Sequence, residues 1–153
     1  MKKTLLILVA PVCIFISCKN NSIQTTDEEN PEKTISDKTN QCYAYTANKD
    51  SVFLHISITD TIVTGDLTYK LFEKDQNKGT LQGMMKGDTL IAEYKFLSEG
   101  TESIREVAFL KRGNDFVEGY GDVEGNNGKM VFKNTSTLNF NNNMILKEVD
   151  CEK

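Results

Sequence analysis

Turn-forming residues recur at intervals of about 8 to 13 residues from Gln41 to the end of the chain. All ten glycines lie beyond Gln41, whereas the last proline is Pro31. Proline removes a backbone donor from a sheet and glycine marks tight turns, so this distribution favours uninterrupted strands joined by short connections. Regular strands with short turns are typical of an antiparallel meander, a sandwich or a barrel.

Two segments can be tested as hairpins by aligning their side chains across a two-residue turn. With Asp60-Thr61 as the turn, the predicted pairs are Val52 with Tyr69, Leu54 with Leu67, Ile56 with Gly65 and Ile58 with Val63. With Gly87-Asp88 as the turn, the predicted pairs are Gly79 with Phe96, Leu81 with Tyr94, Gly83 with Ala92 and Met85 with Leu90. In both hairpins the other face is mostly polar, which is typical of a half-buried sheet, and a shift by one residue would destroy the pattern.

A third hairpin, around Gly113-Asn114, has no clean apolar face. On one face the predicted pairs are Phe109 with Glu118, Val107 with Tyr120 and Arg105 with Asp122. The other face combines aliphatic residues with Glu106. The pattern therefore leaves open which face is the core, and a mixed face of this kind is a place where a binding site can lie.

We expect an all-β domain of about eight main strands. These are 42–47, 51–59, 62–73, 79–86, 89–98, 102–112, 115–124 and 128–133, followed by a short hairpin of 137–140 with 144–149. Closure removes exposed strand edges, so the predicted fold is an antiparallel up-and-down meander closed as a small eight-stranded barrel. An open sheet or a sandwich is the alternative.

The N-terminus carries a short positive segment, Met1-Lys2-Lys3, followed by an almost wholly apolar run from Leu5 to Ile16. Twelve residues span about 18 Å as a helix, whereas the hydrocarbon core of a bilayer is about 30 Å thick. The run is therefore predicted to be a secretory signal peptide and not a transmembrane helix.

The run ends in Phe15-Ile16-Ser17-Cys18, which resembles the lipobox of bacterial lipoproteins. The resemblance covers the first 18 residues, and Phe15 departs from the leucine that is usual there. It implies cleavage before Cys18, acylation of Cys18 with diacylglycerol and a further fatty acid such as palmitate, and stable anchoring to a membrane. Cys13 fits the pattern less well, because Val12 before it is not small.

The resemblance also implies a location in the cell envelope. Lys19, and not Asp, follows the lipidated cysteine, which in the enterobacterial form of the family implies the outer membrane, on its periplasmic side or its surface. Residues 1–17 are then the signal peptide, 18–40 the lipidated cysteine and a polar tether predicted to be disordered, and 41–153 the β domain.

Charge and composition exclude several functions. The formal net charge is −4, and it becomes −6 when Lys2 and Lys3 leave with the signal peptide. Nucleic-acid binding needs a basic surface, so no nucleic-acid partner is expected. His55, the only histidine, is predicted on the outer face opposite Asp66 with no nucleophile beside it. We therefore expect no catalytic residue, no metal site, no cofactor and no enzymatic activity.

Cys42 and Cys151 stand near the two ends of the predicted domain. Oxidation is allowed in an exported protein, and two cysteines leave one intramolecular pairing. A redox pair would favour the Cys-x-x-Cys spacing, and a zinc site would need more ligands. We therefore predict a Cys42–Cys151 disulfide.

The third hairpin supplies the candidate binding residues. Arg105 and Asp122 are predicted cross-strand neighbours, with Glu118 and Tyr120 nearby. In one interpretation Arg105 and Asp122 form a surface ion pair that contributes little to stability. In the other, Arg105 lies in the barrel mouth and its guanidinium binds a carboxylate or a phosphate. The candidate walls of such a site are Tyr69, Tyr94 and Phe96, which core packing explains equally well.

Two functions fit these expectations. The first is a small-molecule or lipid binding module, since the plan of residues 42–133 is similar to that of calycin-type barrels without any shared motif. The second is a protein-interaction or inhibitor lipoprotein, since membrane-bound lysozyme inhibitors are similar in plan and an acidic protein attracts basic lysozyme. The chain also resembles many small envelope lipoproteins of Gram-negative bacteria. A cavity lined by Arg105 and tyrosines would favour the first function, and a filled barrel with a protruding acidic or serine-rich loop the second.

Overall fold

A computed structural model describes residues 38–151 of the chain. The strands are β1 (Thr39–Ala47), β2 (Asp50–Thr59), β3 (Ile62–Lys70), β4 (Asn77–Lys86), β5 (Thr89–Ser98), β6 (Thr101–Arg112), β7 (Asp115–Gly119), β8 (Val123–Asn126), β9 (Lys129–Phe132) and β10 (Ile145–Val149). A short 3-10 helix spans Thr135–Thr137. Within residues 38–151, no helix has the length and apolar character needed to span a bilayer.

The start of the β domain lies slightly before its predicted boundary. β1 begins at Thr39, because Thr39 and Asn40 already pair with Ile58 and Ser57 of β2. The predicted signal peptide at 1–17, the lipidation site at Cys18 and the predicted tether up to residue 37 lie outside the described residues.

Eight strands close into an antiparallel barrel, as predicted. The order around the barrel is β1-β2-β3-β4-β5-β6-β7-β10, and β10 pairs back to β1. One end of the barrel carries the β1–β2, β3–β4 and β5–β6 connections, and we call this end the mouth. The opposite end carries the β2–β3, β4–β5 and β6–β7 turns together with the start of β1 and the end of β10.

The two hairpins with clean apolar faces have the predicted registers. Ile58 pairs with Val63 across the first turn, and Met85 pairs with Leu90 across the second. The apolar faces point into the barrel, where they form most of the core. The largest fully buried side chains are Tyr43, Leu54, Ile56, Leu67, Leu90, Tyr94, Phe109, Phe116 and Leu146. The interior of the barrel is therefore packed along most of its length.

The eighth strand of the barrel is β10, and not the predicted segment 128–133. The predicted strand 115–124 is interrupted after Gly119, and the chain then forms the β8–β9 hairpin, which adds to β6 through a single parallel pair between Arg105 and Met130. The second half of the predicted 137–140 and 144–149 hairpin is β10, whereas the first half contributes only one isolated bridge, from Asn139 to Tyr120. The sequence patterns indicated that these segments are extended, but not which neighbouring strand each of them pairs with.

Backbone pairing explains why β7 leaves β6 early. The β6–β7 ladder ends with Ala108 opposite Gly119. Tyr120 then exchanges two backbone hydrogen bonds with Asn139, at 2.9 and 2.8 Å. The Phe140 ring occupies the space where a Cβ of residue 119 would lie, so any larger residue there would displace the ring. The predicted pairs of Val107 with Tyr120 and of Arg105 with Asp122 are therefore wrong, although Phe109 does pair with Glu118.

The predicted disulfide between Cys42 and Cys151 is present, with a Cα–Cα distance of 5.2 Å and 109 residues of sequence separation. It joins the start of β1 to the segment that follows β10. Because β10 contacts β1 through only three paired positions, the covalent bond reinforces the seam at which the barrel closes.

Removal of the disulfide should destabilise the barrel strongly. In the chain-entropy description, a cross-link that closes a loop of this length contributes about 4–5 kcal/mol to the free energy of unfolding. We expect the Cys42→Ala/Cys151→Ala double variant to lose about 3–5 kcal/mol in urea unfolding, and the reduced wild-type protein to unfold at the same urea concentration as the variant. A loss below about 1 kcal/mol would show that β10 closes the barrel without help from the bond.

Candidate binding site at the barrel mouth

Arg105 extends from β6 into the mouth end of the barrel, where aromatic rings surround its guanidinium group. The guanidinium carbon lies 5.2 Å from the ring centre of Tyr69, 5.7 Å from that of Tyr94 and 5.4 Å from that of Phe96. The Tyr94 and Phe96 rings are themselves stacked at 4.7 Å. A cation within about 6 Å of a ring centre is attracted to the ring face, so the three aromatic residues hold the guanidinium in place.

The hydrogen-bonding edge of Arg105 is not satisfied by the protein. Its Nε atom is buried and has no hydrogen-bond partner. Within residues 38–151, no carboxylate lies within 4.0 Å of the guanidinium group. An unpaired buried donor costs about 1–3 kcal/mol, and more when the group is charged. Within the described residues, Arg105 is therefore a fixed cation without a carboxylate partner, and its buried Nε has no acceptor.

Glu118 lies beside Arg105 on the inner face of β7 and is 4% exposed. Its two carboxylate oxygens accept hydrogen bonds from two tyrosine hydroxyls, Tyr69 at 2.7 Å and Tyr120 at 2.9 Å. The side-chain amide of Asn142 also donates to the backbone carbonyl of Glu118, at 2.6 Å. These contacts fix the carboxylate and occupy both of its oxygens.

Burial dominates the electrostatics of this cluster. Loss of hydration raises the pKa of the Glu118 carboxyl, while the hydrogen bonds from Tyr69 and Tyr120 and the charge of Arg105 partly offset that rise. Burial, followed by the neighbouring Glu118 charge, also raises the pKa of the Tyr69 and Tyr120 hydroxyls. Both tyrosines therefore keep their protons at neutral pH and remain donors to Glu118.

These side chains line an open cavity of about 420 Å³ at the mouth, which we call the mouth cavity. Its lining consists of Tyr69, Leu71, Lys74, Asp75, Asn77, Ser98, Arg105, Glu118, Tyr120 and Met144. The volume falls in the range of small-molecule sites, which is about 300–1,000 Å³. The cavity combines one fixed cation, a hydrogen-bonded carboxylate and a polar rim, and it can hold a compact polar or amphiphilic molecule.

Four of the seven candidate residues predicted from the sequence line this cavity: Tyr69, Arg105, Glu118 and Tyr120. Phe96 contacts the Arg105 guanidinium but does not line the cavity. Tyr94 is fully buried and its hydroxyl donates to the backbone carbonyl of Leu67 at 2.8 Å, so it supports Arg105 from the core instead of lining the cavity. Asp122 does not belong to the site. It is exposed beyond the end of β7, and on the side of β6 away from β5 Arg105 pairs with Met130.

The sequence prediction missed the rim of the cavity. Lys74 and Asp75 belong to the β3–β4 connection, which the sequence marked only as a turn, and Met144 precedes β10. Lys74 and Asp75 could have been recognised as candidate rim residues, because both are charged and lie in a connection between two predicted strands. The position of Met144 at the mouth could not be predicted from the pattern, because it depends on β10 being the eighth barrel strand, whereas the sequence predicts that 128–133 is that strand.

On the outer face, three side chains that could coordinate a metal ion lie close together: Cys42, His55 and Cys151. His55 faces Asp66 as predicted, with 3.5 Å between Nδ1 of His55 and Oδ2 of Asp66. The sulfur atoms of Cys42 and Cys151 and a ring nitrogen of His55 all lie within 4.8 Å of one another. The two sulfurs are bonded to each other, so they do not offer thiolates to a metal ion.

The raised pKa of Glu118 predicts a specific pH dependence of stability. Because the folded state favours the neutral carboxyl, this contribution to stability is present below the unfolded pKa of about 4.5 and is lost as pH rises through the folded pKa. We expect the free energy of unfolding of Glu118→Gln to increase relative to that of wild type as pH rises from about 4.5, measured by urea unfolding at each pH.

Glu73→Gln, at an exposed position in the β3–β4 connection, is the control for the removal of a negative charge. A difference between Glu118→Gln and wild type that stays constant across this pH range would contradict the burial argument.

Searches of known protein families, of curated proteins and of solved structures find no match to this chain. A role for the mouth cavity therefore has to be inferred from its own residues and geometry.

Proposed function

We propose that this protein is a lipid-anchored, non-enzymatic envelope protein that binds a compact carboxylate-bearing small molecule in the mouth cavity. The observation that carries the proposal is the Arg105 guanidinium group, which lines the cavity, is held among three aromatic rings and, within residues 38–151, has no carboxylate partner. A carboxylate binds a guanidinium edge through two parallel hydrogen bonds, and such charge-assisted bonds are among the strongest in proteins.

The charge of the site favours a monoanion over a dianion such as phosphate. Arg105 is the single cation held among the aromatic rings, and Lys74 contributes a second cation only at the rim. Glu118 lies in the same cavity, and its ionised form repels an anion. One negative charge can be matched by Arg105, whereas a second one would remain uncompensated in a partly buried site.

Packing below the cavity limits the size of the ligand. Tyr43, Phe109 and Phe116 are fully buried in the interior, and their rings contact one another at centroid distances of 4.8 and 6.3 Å. A long acyl chain directed along the barrel axis would have to displace these rings. The filled interior therefore supports a compact ligand at the mouth and not a long lipid threaded through the barrel.

The anchor part of the proposal is supported by the sequence and by the disulfide. The Phe15-Ile16-Ser17-Cys18 segment resembles a lipobox, and disulfides persist in oxidising compartments outside the cytoplasm. Both features are compatible with an outer-membrane lipoprotein whose β domain lies in the periplasm or at the cell surface.

The hollow mouth supports the binding function over the inhibitor alternative. The sequence expectation for an inhibitor was a filled barrel with a protruding acidic or serine-rich loop. The barrel is filled below the mouth, as expected for an inhibitor, but at the mouth the longest connection between β1 and β7, residues 71–76, carries Lys74 and Asp75 into the lining of a cavity.

Loss of the guanidinium should abolish carboxylate binding. We expect Arg105→Gln to raise the dissociation constant for propionate by at least about tenfold, because a hydrogen bond to a charged group contributes about 1.5–3 kcal/mol. Arg105→Lys keeps the charge but loses the planar fork, and should bind with intermediate affinity. The measurement is a titration followed by ¹H–¹⁵N NMR of the backbone amides.

The matched control is Arg112→Gln, because Arg112 is exposed at the end of β6 furthest from the mouth. It should leave propionate binding unchanged. Equal dissociation constants for wild type and Arg105→Gln would refute the role assigned to Arg105.

Loss of the lipidated cysteine should release the protein from membranes. We expect Cys18→Ala to move to the soluble fraction in the native host, because the acyl chains provide the anchor. Cys13→Ala is the matched control and should stay in the membrane fraction. A Cys18→Ala protein that remains with the membranes, or a wild-type mass without fatty acids, would contradict the anchor.

A further inference from the structure

The wall of the barrel is incomplete between β6 and β7 near the mouth. β6 is paired with β5 along almost its whole length, from Ser98–Thr101 to Thr89–Leu110. On its other side, β7 covers only residues 108–112 of β6. On the side of β6 that faces β7, residues 101–107 therefore form only one sheet pair, the parallel pair of Arg105 with Met130 of β9.

The β8–β9 hairpin covers this opening, but it is attached to the barrel at few points. Besides the parallel pair, the backbone N–H of Phe132 donates to the Glu106 carboxylate at 2.8 Å. Lys129 also forms an ion pair with Glu93 of β5. All four residues of β8 are exposed. The hairpin thus lies over the gap without completing the sheet.

A second cavity of about 300 Å³ lies under the hairpin, and we call it the side cavity. Its apolar lining comes from Val107, Val123, Met130 and Phe132, together with two glycines. Arg105, Glu118 and Tyr120 line the side cavity and the mouth cavity alike. These three side chains therefore connect the two cavities, and Glu106 is a further charged residue in the lining of the side cavity.

The apolar residues around the side cavity are unusually accessible to solvent. Val123 is 42% exposed, Met130 is 44% exposed and Tyr120 is 49% exposed. Scattered exposed apolar residues are normal on a protein surface, but a cluster that borders a concave site is typical of a ligand-binding groove. If an apolar group of a ligand covered these side chains, the removal of their surface from water would stabilise the complex.

We propose that the side cavity binds the apolar part of the ligand whose carboxylate is held by Arg105, so that the ligand class is the amphiphilic monocarboxylates with a short alkyl or aryl group. This inference rests on the proposed function of the mouth cavity. The apolar group cannot extend down the filled interior, and the rim of the mouth, with Lys74, Asp75 and Asn77, is polar. The side cavity offers an apolar surface next to Arg105, formed by Val107, Val123, Met130 and Phe132.

The test compares a series of straight-chain carboxylates, from propionate through butyrate and hexanoate to octanoate, with primary alcohols of the same chain lengths. Binding is followed by NMR of the backbone amides and of the Met130 methyl group. We expect affinity to rise by up to about fourfold per added methylene, until the chain outgrows the side cavity. At each length the carboxylate should bind more tightly than the alcohol.

Met130→Trp fills the side cavity and should remove the dependence of affinity on chain length from butyrate to octanoate. Val123→Trp fills it from the other strand of the hairpin and provides a second variant should the first not fold. Met84→Trp is the matched control, because Met84 is exposed to a similar degree, 47%, and lines neither cavity.

The series separates this inference from the proposed function. Carboxylate affinities that do not depend on chain length, or a chain-length dependence that persists in both tryptophan variants, would overturn the side-cavity assignment and leave the role of Arg105 standing. Alcohols and carboxylates of equal affinity, with a chain-length dependence abolished by Met130→Trp, would support the side cavity and refute carboxylate recognition. Absence of binding throughout both series would refute both.

Discussion

The pairing of β10 with both β1 and β7 is the interaction on which the rest of the structure depends, because it turns a meander into a closed barrel. It is a modest interaction in backbone terms, with three paired positions on one side and two on the other. Leu146 of β10 is fully buried in the core, and the Cys42–Cys151 bond ties the end of the strand to the start of β1. The disulfide, the packing of Leu146 and the short ladder therefore all stabilise the same seam. Because the disulfide persists only under oxidising conditions, the full stability of the barrel depends on such conditions.

The closed barrel has a packed apolar interior over most of its length and a polar, open region at the mouth. Along most of the barrel the inward residues are large and apolar and leave no room for a ligand. At the mouth the inward residues are Arg105, Glu118 and Tyr69, and the interior opens into a cavity. A charged cluster in this position costs folding free energy, because Glu118 is buried and Arg105 Nε lacks an acceptor. This cost, together with the cavity that Arg105 and Glu118 line, is the reason for proposing a binding site at the mouth.

The fold class and two hairpins could be predicted from the sequence because a two-residue turn fixes the register and the alternation of side chains fixes the face. The third hairpin gave the correct turn and the correct Phe109–Glu118 pair, and its mixed face held Arg105, Glu118 and Tyr120. What followed Gly119 could not be predicted. A strand pattern reports that a segment is extended but not which strand it joins, and here the Phe140 ring and Asn139 divert the chain from β6. The side cavity and the position of β10 both result from that diversion.

The most direct test of the account is the Arg105 side-chain Nε–H resonance in a ¹H–¹⁵N spectrum, assigned by its absence in Arg105→Lys and observed with and without propionate. The account predicts that propionate binds the Arg105 guanidinium group where it lines the cavity, so the resonance of the Nε–H in the same group should shift. A resonance that is unchanged at saturating propionate, while other parts of the barrel respond, would contradict carboxylate binding at Arg105.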